Sequence, residues 1–227
     1  MPVAPVAQSV RTPHWWVHAR AEQGTVRADM QDSFAVVQDF RLGGHAFDAV
    51  AVFDGVGGMP HGGDASKTAA EALPKLLAEG VGAHKLLDRL DEAVRKTGGA
   101  TTAVVALLPH DGGRGWILSA GDSSAYAVAE DGRAARLNPL DAAHGNITQC
   151  LGLGRLKGHT ISWTPPAGAI ILLCTDGVDG VVAPGLLSQS LRAVSGRGPV
   201  ALEALFMAIR MAGSPDNATA ILARRLQ

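Results

Sequence analysis

The chain has 227 residues, 47% hydrophobic and 18% charged, which is enough apolar material for one sizeable core and too much for a disordered protein. Its 20 Lys and Arg against 21 Asp and Glu leave a net charge of -1, so there is no electrostatic footprint for nucleic acid or an anionic membrane surface. Two cysteines, Cys150 and Cys174, are too few for a disulfide framework; each borders an apolar run, as buried reduced thiols do.

Residues 1–12 are rich in Pro and Ala and are expected to form a loose arm, with 13–227 a single domain. The start lacks a basic stretch followed by an apolar one, and "AGAIILLC" is too short to span a bilayer, so a cytoplasmic location is expected. "SFAVVQDF" and "AFDAVAVF" read as strands joined by a turn at Gly43–Gly44. "DASKTAAEALPKLLAEG" is predicted helical, capped by Asp64 or Ser66 and kinked or divided at Pro74. "AHKLLDRLDEAVRKTG" repeats Leu86, Leu87, Leu90 and Val94 at helical spacing and is closed by Gly98.

The period then shortens. "ATTAVVALL", "GWILSAG", "SSAYAVAE" and "AARLN" are predicted strands, and "HTISWTPP" with "AIILLCTD" is expected to form a further pair through "PPAG". Helices around Leu186–Val194 and Val200–Met211 and a last strand, "ATAILARR", complete the chain. Strands and helices come in blocks, which favours an α+β architecture with antiparallel sheet. The Trp15–Trp16 pair is expected in the core.

Four aspartates share a context. Asp54 and Asp176 end apolar runs just before a glycine, Asp122 follows Gly121, and Asp216 lies just ahead of the last strand. Any one alone reads as a turn aspartate bonded to nearby amides. Several converging would repel one another and hold their protons, unless a hard divalent cation with oxygen ligands sits among them. No Cys and His cluster has zinc spacing. Carboxylates and glycines together therefore suggest a two-metal phosphate site, for which Arg27 offers a planar guanidinium fork.

Seven segments, in order along nearly the whole chain, resemble the metal-dependent protein phosphatases of type 2C, the PPM family, in its compact bacterial form. They are "GTVRADMQD", "VFDGVGG", "GGDASKTAAEAL", "GGATTAVVALL", "AGDSSAY", "CTDGVDGVV" and "PDNATAIL". The resemblance implies a four-layer αββα sandwich, two central antiparallel β-sheets flanked by helices. It also implies a protein serine/threonine phosphatase using two Mn2+ or Mg2+ ions, with a possible third. By position, Asp54 would bridge both metals with help from the Gly55 carbonyl, and Asp176 and Asp216 would bind the first. Asp32 would act through metal-bound water, Arg27 would bind the substrate phosphate, and Asp122 would serve the third ion. Asn217 would hydrogen-bond near the metal water. The implied chemistry is in-line attack on phosphorus by a water that the cations acidify. The implied partners are phosphorylated Ser/Thr proteins, substrates of a Hanks-type kinase, acted on by a monomer.

The chain departs from the family pattern in places. Val56 stands where eukaryotic relatives carry a histidine that protonates the leaving group, with His61 as a nearby substitute. Met30 replaces an asparagine and Ser124 an arginine. The span from Asp131 to Thr160 is short, which leaves "HGNITQCLGLG" as a minimal substrate flap with His144 as a possible contact. A related class acting on anti-sigma antagonists differs around the first metal aspartate and is set aside. The alternative function is a non-catalytic pseudophosphatase that binds a phosphoprotein; loss of a metal aspartate would signal it, and none is lost. "GMPHGGDASKT" and "GLGRLKG" miss the glycines that a P-loop and a dinucleotide loop require.

Overall fold

A computed structural model describes residues 5–129, 131–191 and 198–226. In chain order the strands are β1 Val6–Arg11, β2 Trp15–Glu22, β3 Asp32–Leu42, β4 His45–Asp54, β5 Ala103–Pro109, β6 Gly115–Ala120, β7 Ser124–Val128 and β8 Ala134–Arg136. They continue with β9 Ala142–Ala143, β10 Asn146–Ile147, β11 His159–Trp163, β12 Ile170–Cys174 and β13 Ala218–Arg225. The helices are α1 Gly62–Ala78, α2 Ala83–Val94, α3 Asp176–Asp179, α4 Pro184–Leu191 and α5 Gly198–Met211.

The strands form a six-stranded sheet, β1-β2-β13-β12-β7-β8, and a five-stranded sheet, β11-β6-β5-β4-β3, with β9 and β10 as a separate small hairpin. Every pairing is antiparallel. The layers follow from the period of two along a strand. In β4, Ala49, Ala51 and Phe53 face α1 and α2, while Val50 and Val52 face the other sheet. In β12, Leu172 and Cys174 pack with α3, α4 and α5, while Ile171 and Leu173 point between the sheets. Central strands covered on both faces have no polar side, so they read in the sequence as unbroken apolar runs. The result is the expected αββα sandwich with two central antiparallel sheets.

Four local expectations change. Val6–Arg11, expected in a loose arm, forms edge strand β1 in full register with β2. β11 and β12 are not a pair: β11 joins β6 and β12 joins β13 and β7, so "PPAG" crosses between sheets. Helix α1 continues through Pro74 undivided, because Ala69, Leu73, Leu76 and Leu77 on both sides of it are buried against the sheet, and that packing outweighs the local cost of proline. Neither Asp64 nor Ser66 caps α1, which starts from His61 in the left-handed region. Of the tryptophan pair, Trp15 is fully buried and Trp16 only partly. The predicted helix around Leu186–Val194 appears as α4, and its last residues lie outside the described ones. Both cysteines are buried and free.

Candidate metal centre

The antiparallel pairing brings the acidic strand ends to one end of the sandwich. β3 begins at Asp32 and β4 ends at Asp54, and these two are direct cross-strand partners, so their carboxyls lie side by side on one face. In the other sheet β12 gives way to α3, which starts at Asp176, while β13 begins just after Asp216 and β7 just after Asp122. A pocket of about 360 Å³ opens there, lined by Arg27, Asp54, Asp122, Asp176 and Asp216 together with Val56 and Gly57. Asp32 is buried beside it and is not part of the lining.

Threonines fix these carboxylates from behind. The Thr101 hydroxyl and the Thr102 N–H both donate to the Asp54 carbonyl at 2.8 Å, and the Thr102 hydroxyl accepts the Asp54 N–H at 3.1 Å. The Thr175 hydroxyl donates to Asp32 at 2.9 Å and accepts the Thr219 N–H at 3.0 Å. Sequence reading missed these residues as site supports, since threonine in an apolar run reads simply as a strand former.

The electrostatics are those of crowded acids. Burial pushes the Asp54 carboxyl well above its ordinary value, and the charges of Asp32, Asp176 and Asp216 push it further. Asp32 rises to about 6 through burial, with the Asp176 charge adding and the hydrogen bond from the Thr175 hydroxyl opposing. Asp122 also reaches about 6, again through burial first and then Asp176. Asp176 is raised by burial and by Asp216, and it lies within hydrogen-bond reach of Asp54. One oxygen each of Asp32, Asp122 and Asp176 is buried with no hydrogen-bond partner among the described residues. Buried acceptors are ordinarily paired, and three orphans around one pocket call for a cation.

Arg27 makes a two-point ion pair with Asp216: Nε donates to Oδ1 and Nη2 to Oδ2, both at 2.6 Å. That pair raises the guanidinium pKa, against a smaller opposing effect of burial. Both Asp216 oxygens, expected to face a metal, are thus engaged by the residue expected to face phosphate. Among the described residues no three His, Cys, Asp or Glu side chains close into a ready-made metal cage. The donor set still fits Mn2+ or Mg2+, which take carboxylate oxygens and keep several waters. Asp32, Asp54, Asp122, Asp176 and Asp216 are the residues that could hold such ions.

The glycines next to Asp54 have separate reasons. A Cβ on Gly55 would lie 2.5 Å from the backbone of Gly62, so this position brings the start of α1 close. A Cβ on Gly57 would lie 2.6 Å from Arg27 Nη1; glycine here leaves room for the guanidinium. Asn217, expected near the metal water, has two partners in the fold: its Oδ1 accepts the Gly24 N–H at 3.1 Å and its Nδ2 donates to the Asp29 carbonyl at 3.0 Å. It therefore braces both ends of the loop that carries Arg27.

His61 does not line the pocket. It is 3.1 Å from Asp64 at the start of α1, so it does not replace the histidine absent at Val56. His144 is exposed and also outside the lining, whereas its neighbours Gly145, Asn146 and Ile147, in and beside the small β9–β10 hairpin, do line it. The flap expected here is this hairpin, with His144 a loop residue outside the pocket lining. The hairpin turns its tip sharply, with His144 at φ 51° and Gly145 at φ 78°, and this presents Asn146 to the carboxylates.

In three dimensions the chain is similar to RsbX solved with magnesium (TM-score 0.73, 18% identity, 97% of this chain and 100% of that one). It is similar to the catalytic domain of the serine/threonine protein phosphatase PstP solved with 2 manganese ions (TM-score 0.73, 24% identity, 94% and 99%). It is also similar to PppA, a key regulatory component of the T6SS in Pseudomonas aeruginosa (TM-score 0.76, 21% identity, 96% and 100%). At these identities the likeness shows the fold alone. No curated protein matches the sequence. The family model for Stage II sporulation protein E matches residues 49–223. With that match spanning most of its length, the chain belongs to the SpoIIE family of PP2C-like phosphatases.

Proposed function

We propose that this protein is a Mn2+- or Mg2+-dependent phosphatase that hydrolyses phosphoserine and phosphothreonine in proteins. The observation that carries this reading is the trio of buried, partnerless oxygens on Asp32, Asp122 and Asp176 around a single acidic pocket. Asp54, with the Gly55 carbonyl, and Asp176 and Asp216 are the residues that would hold such ions, with Asp32 acting through water and Asp122 available for a further ion. When bound, the ions would draw charge from the phosphoryl oxygens and acidify water in the pocket. Arg27 supplies a planar fork that matches two phosphoryl oxygens as well as it matches the Asp216 carboxylate. Fixed on a braced loop, that charge faces the oxygens where negative charge builds in the transition state.

The substrates fitting this reading are phosphoproteins made by a Hanks-type kinase, met in the cytoplasm by a monomeric enzyme. Among the described residues no helix is long and apolar enough to cross a membrane. Among the described residues no histidine lines the pocket, and the Asp122 carboxyl, raised to about 6, is the lining group best placed to carry a proton near neutral pH. The test is hydrolysis of a phosphothreonine peptide by metal-stripped protein with Mn2+ or Mg2+ added back, beside an Asp176→Asn variant. Metal-restored turnover that the substitution abolishes supports the proposal. Mn2+ binding without turnover would instead identify a pseudophosphatase.

A further inference from the structure

A second cavity lies at the far end of β4 from the carboxylates. β4 starts at His45, on the rim of this cavity, and ends at Asp54, roughly 30 Å away at the rise of a strand. The cavity measures about 560 Å³, within the range that small-molecule sites occupy. Its inner wall is apolar and aromatic: Leu42 and Trp116 are partly buried, and Phe47 is buried with its ring centroid 5.7 Å from that of Trp116. A flat apolar body suits such a wall.

The rim carries one unpaired cation beside one acid that already has partners. Arg114 is exposed and has no ion-pair or hydrogen-bond partner among the described residues, and neither has His84. The acid on the rim, Asp111, is already used: His45 Nδ1 lies 3.1 Å from its Oδ2, and the Gly113 N–H donates to its Oδ1 at 2.8 Å. Helix α2 begins at the same edge, after Gly82, with no side-chain cap, and the open N–H groups of its first turn add to the positive end. One unpaired cation matches one anionic group; a polyphosphate would need several.

We propose that this cavity binds a small aromatic molecule bearing a single anionic group, its ring against Trp116 and its anion at Arg114. The site is independent of the metal centre, and its test needs no phosphatase activity. The probe is 8-anilinonaphthalene-1-sulfonate, titrated by fluorescence into the full chain, with the neutral N-phenyl-1-naphthylamine as the comparison. Saturable binding of one sulfonate probe per chain is expected, weakened at least tenfold by Arg114→Glu, while the neutral probe binds both proteins alike. Because Arg114 is exposed and makes no ion pair or hydrogen bond with a described residue, that variant should melt as the parent does. Trp116→Ala, which removes the aromatic wall, should weaken both probes in protein that still melts cooperatively. No saturable binding to the parent, equal sulfonate binding by Arg114→Glu, or unchanged binding of both probes by folded Trp116→Ala would each overturn the proposal.

Discussion

Strand β4 carries two aspartates, Asp48 near its start and Asp54 at its end, on the same face as Val50 and Val52, so the two acids bracket an apolar stretch between the sheets. Their surroundings are opposite. Asp48 is buried and satisfied: the Thr12 hydroxyl donates to its Oδ2 at 2.7 Å, the Asp39 N–H donates to Oδ1 at 3.0 Å, and His110 Nε2 lies 3.0 Å from Oδ1. It ties the β1–β2 turn of one sheet to the bulge between Val37 and Phe40 in the other. Asp54 meets Asp32 across the ladder and Asp176 from the opposite sheet, and burial with their charges drives its carboxyl toward the protonated form. A carboxylate supplied with donors is part of the scaffold, whereas one supplied with other carboxylates is waiting for a cation.

The sharpest way to break this contrast is to neutralise each acid. Asp54→Asn should lower kcat on a phosphothreonine peptide by about a thousandfold or more, the scale of losing a central electrostatic group, while leaving the melting temperature unchanged or higher. Asp48→Ala should do the reverse. It leaves the Thr12 hydroxyl and the Asp39 N–H without this acceptor, and should cost about 3 kcal/mol of stability in denaturant unfolding, with kcat per folded molecule kept. A stable, fully active Asp54→Asn would remove the distinction.

Arg27 sharpens it next. Arg27→Lys keeps the charge and loses the two-point fork, so kcat/KM should fall on the order of a hundredfold in steady-state assays with saturating Mn2+. Gly57→Ala tests the same guanidinium from its neighbour: a Cβ 2.6 Å from Nη1 pushes the flexible end of Arg27 aside. A drop of about tenfold in kcat/KM, with stability changed by less than about 1 kcal/mol, is expected from this misplacement.

The smallest effect is a pH dependence. Asp32 sits at about 6 in the folded chain against an ordinary 3.8, so its protonated form stabilises the metal-free fold. That contribution is complete below about pH 4 and is lost as pH rises through about 6. Metal-free parent protein should therefore lose stability across this window relative to Asp32→Asn. The comparison cancels His18, whose value is lowered by burial and whose contribution runs the other way. Thermal melts from pH 4 to 7, with the gap closed by added Mn2+, would show it.

Much of this arrangement can be read without coordinates. Strand-end aspartates beside glycine mark Asp54 and Asp176, because an apolar run that stops at an acid must stop at a sheet rim. The central strands are legible because both faces are covered. Other features depend on distance in space. Whether "PPAG" closes a hairpin or crosses between sheets depends on which strand offers a free edge, and nothing local records that. That Gly57 makes room for Arg27, that Asn217 braces the Arg27 loop, and that Asn146 faces the pocket are contacts between remote segments. Pro74 misleads because propensity is local while the burial of Leu73, Leu76 and Leu77 is not.

Calorimetric titration of Mn2+ into metal-stripped protein at pH 7.5, run in parallel on Asp54→Asn and Asp48→Asn, tests the central contrast most directly. The account predicts at least two ions bound by the parent and by Asp48→Asn, with proton release on binding, and a loss of at least one ion in Asp54→Asn. Equal binding by all three proteins, or none by the parent, would contradict it.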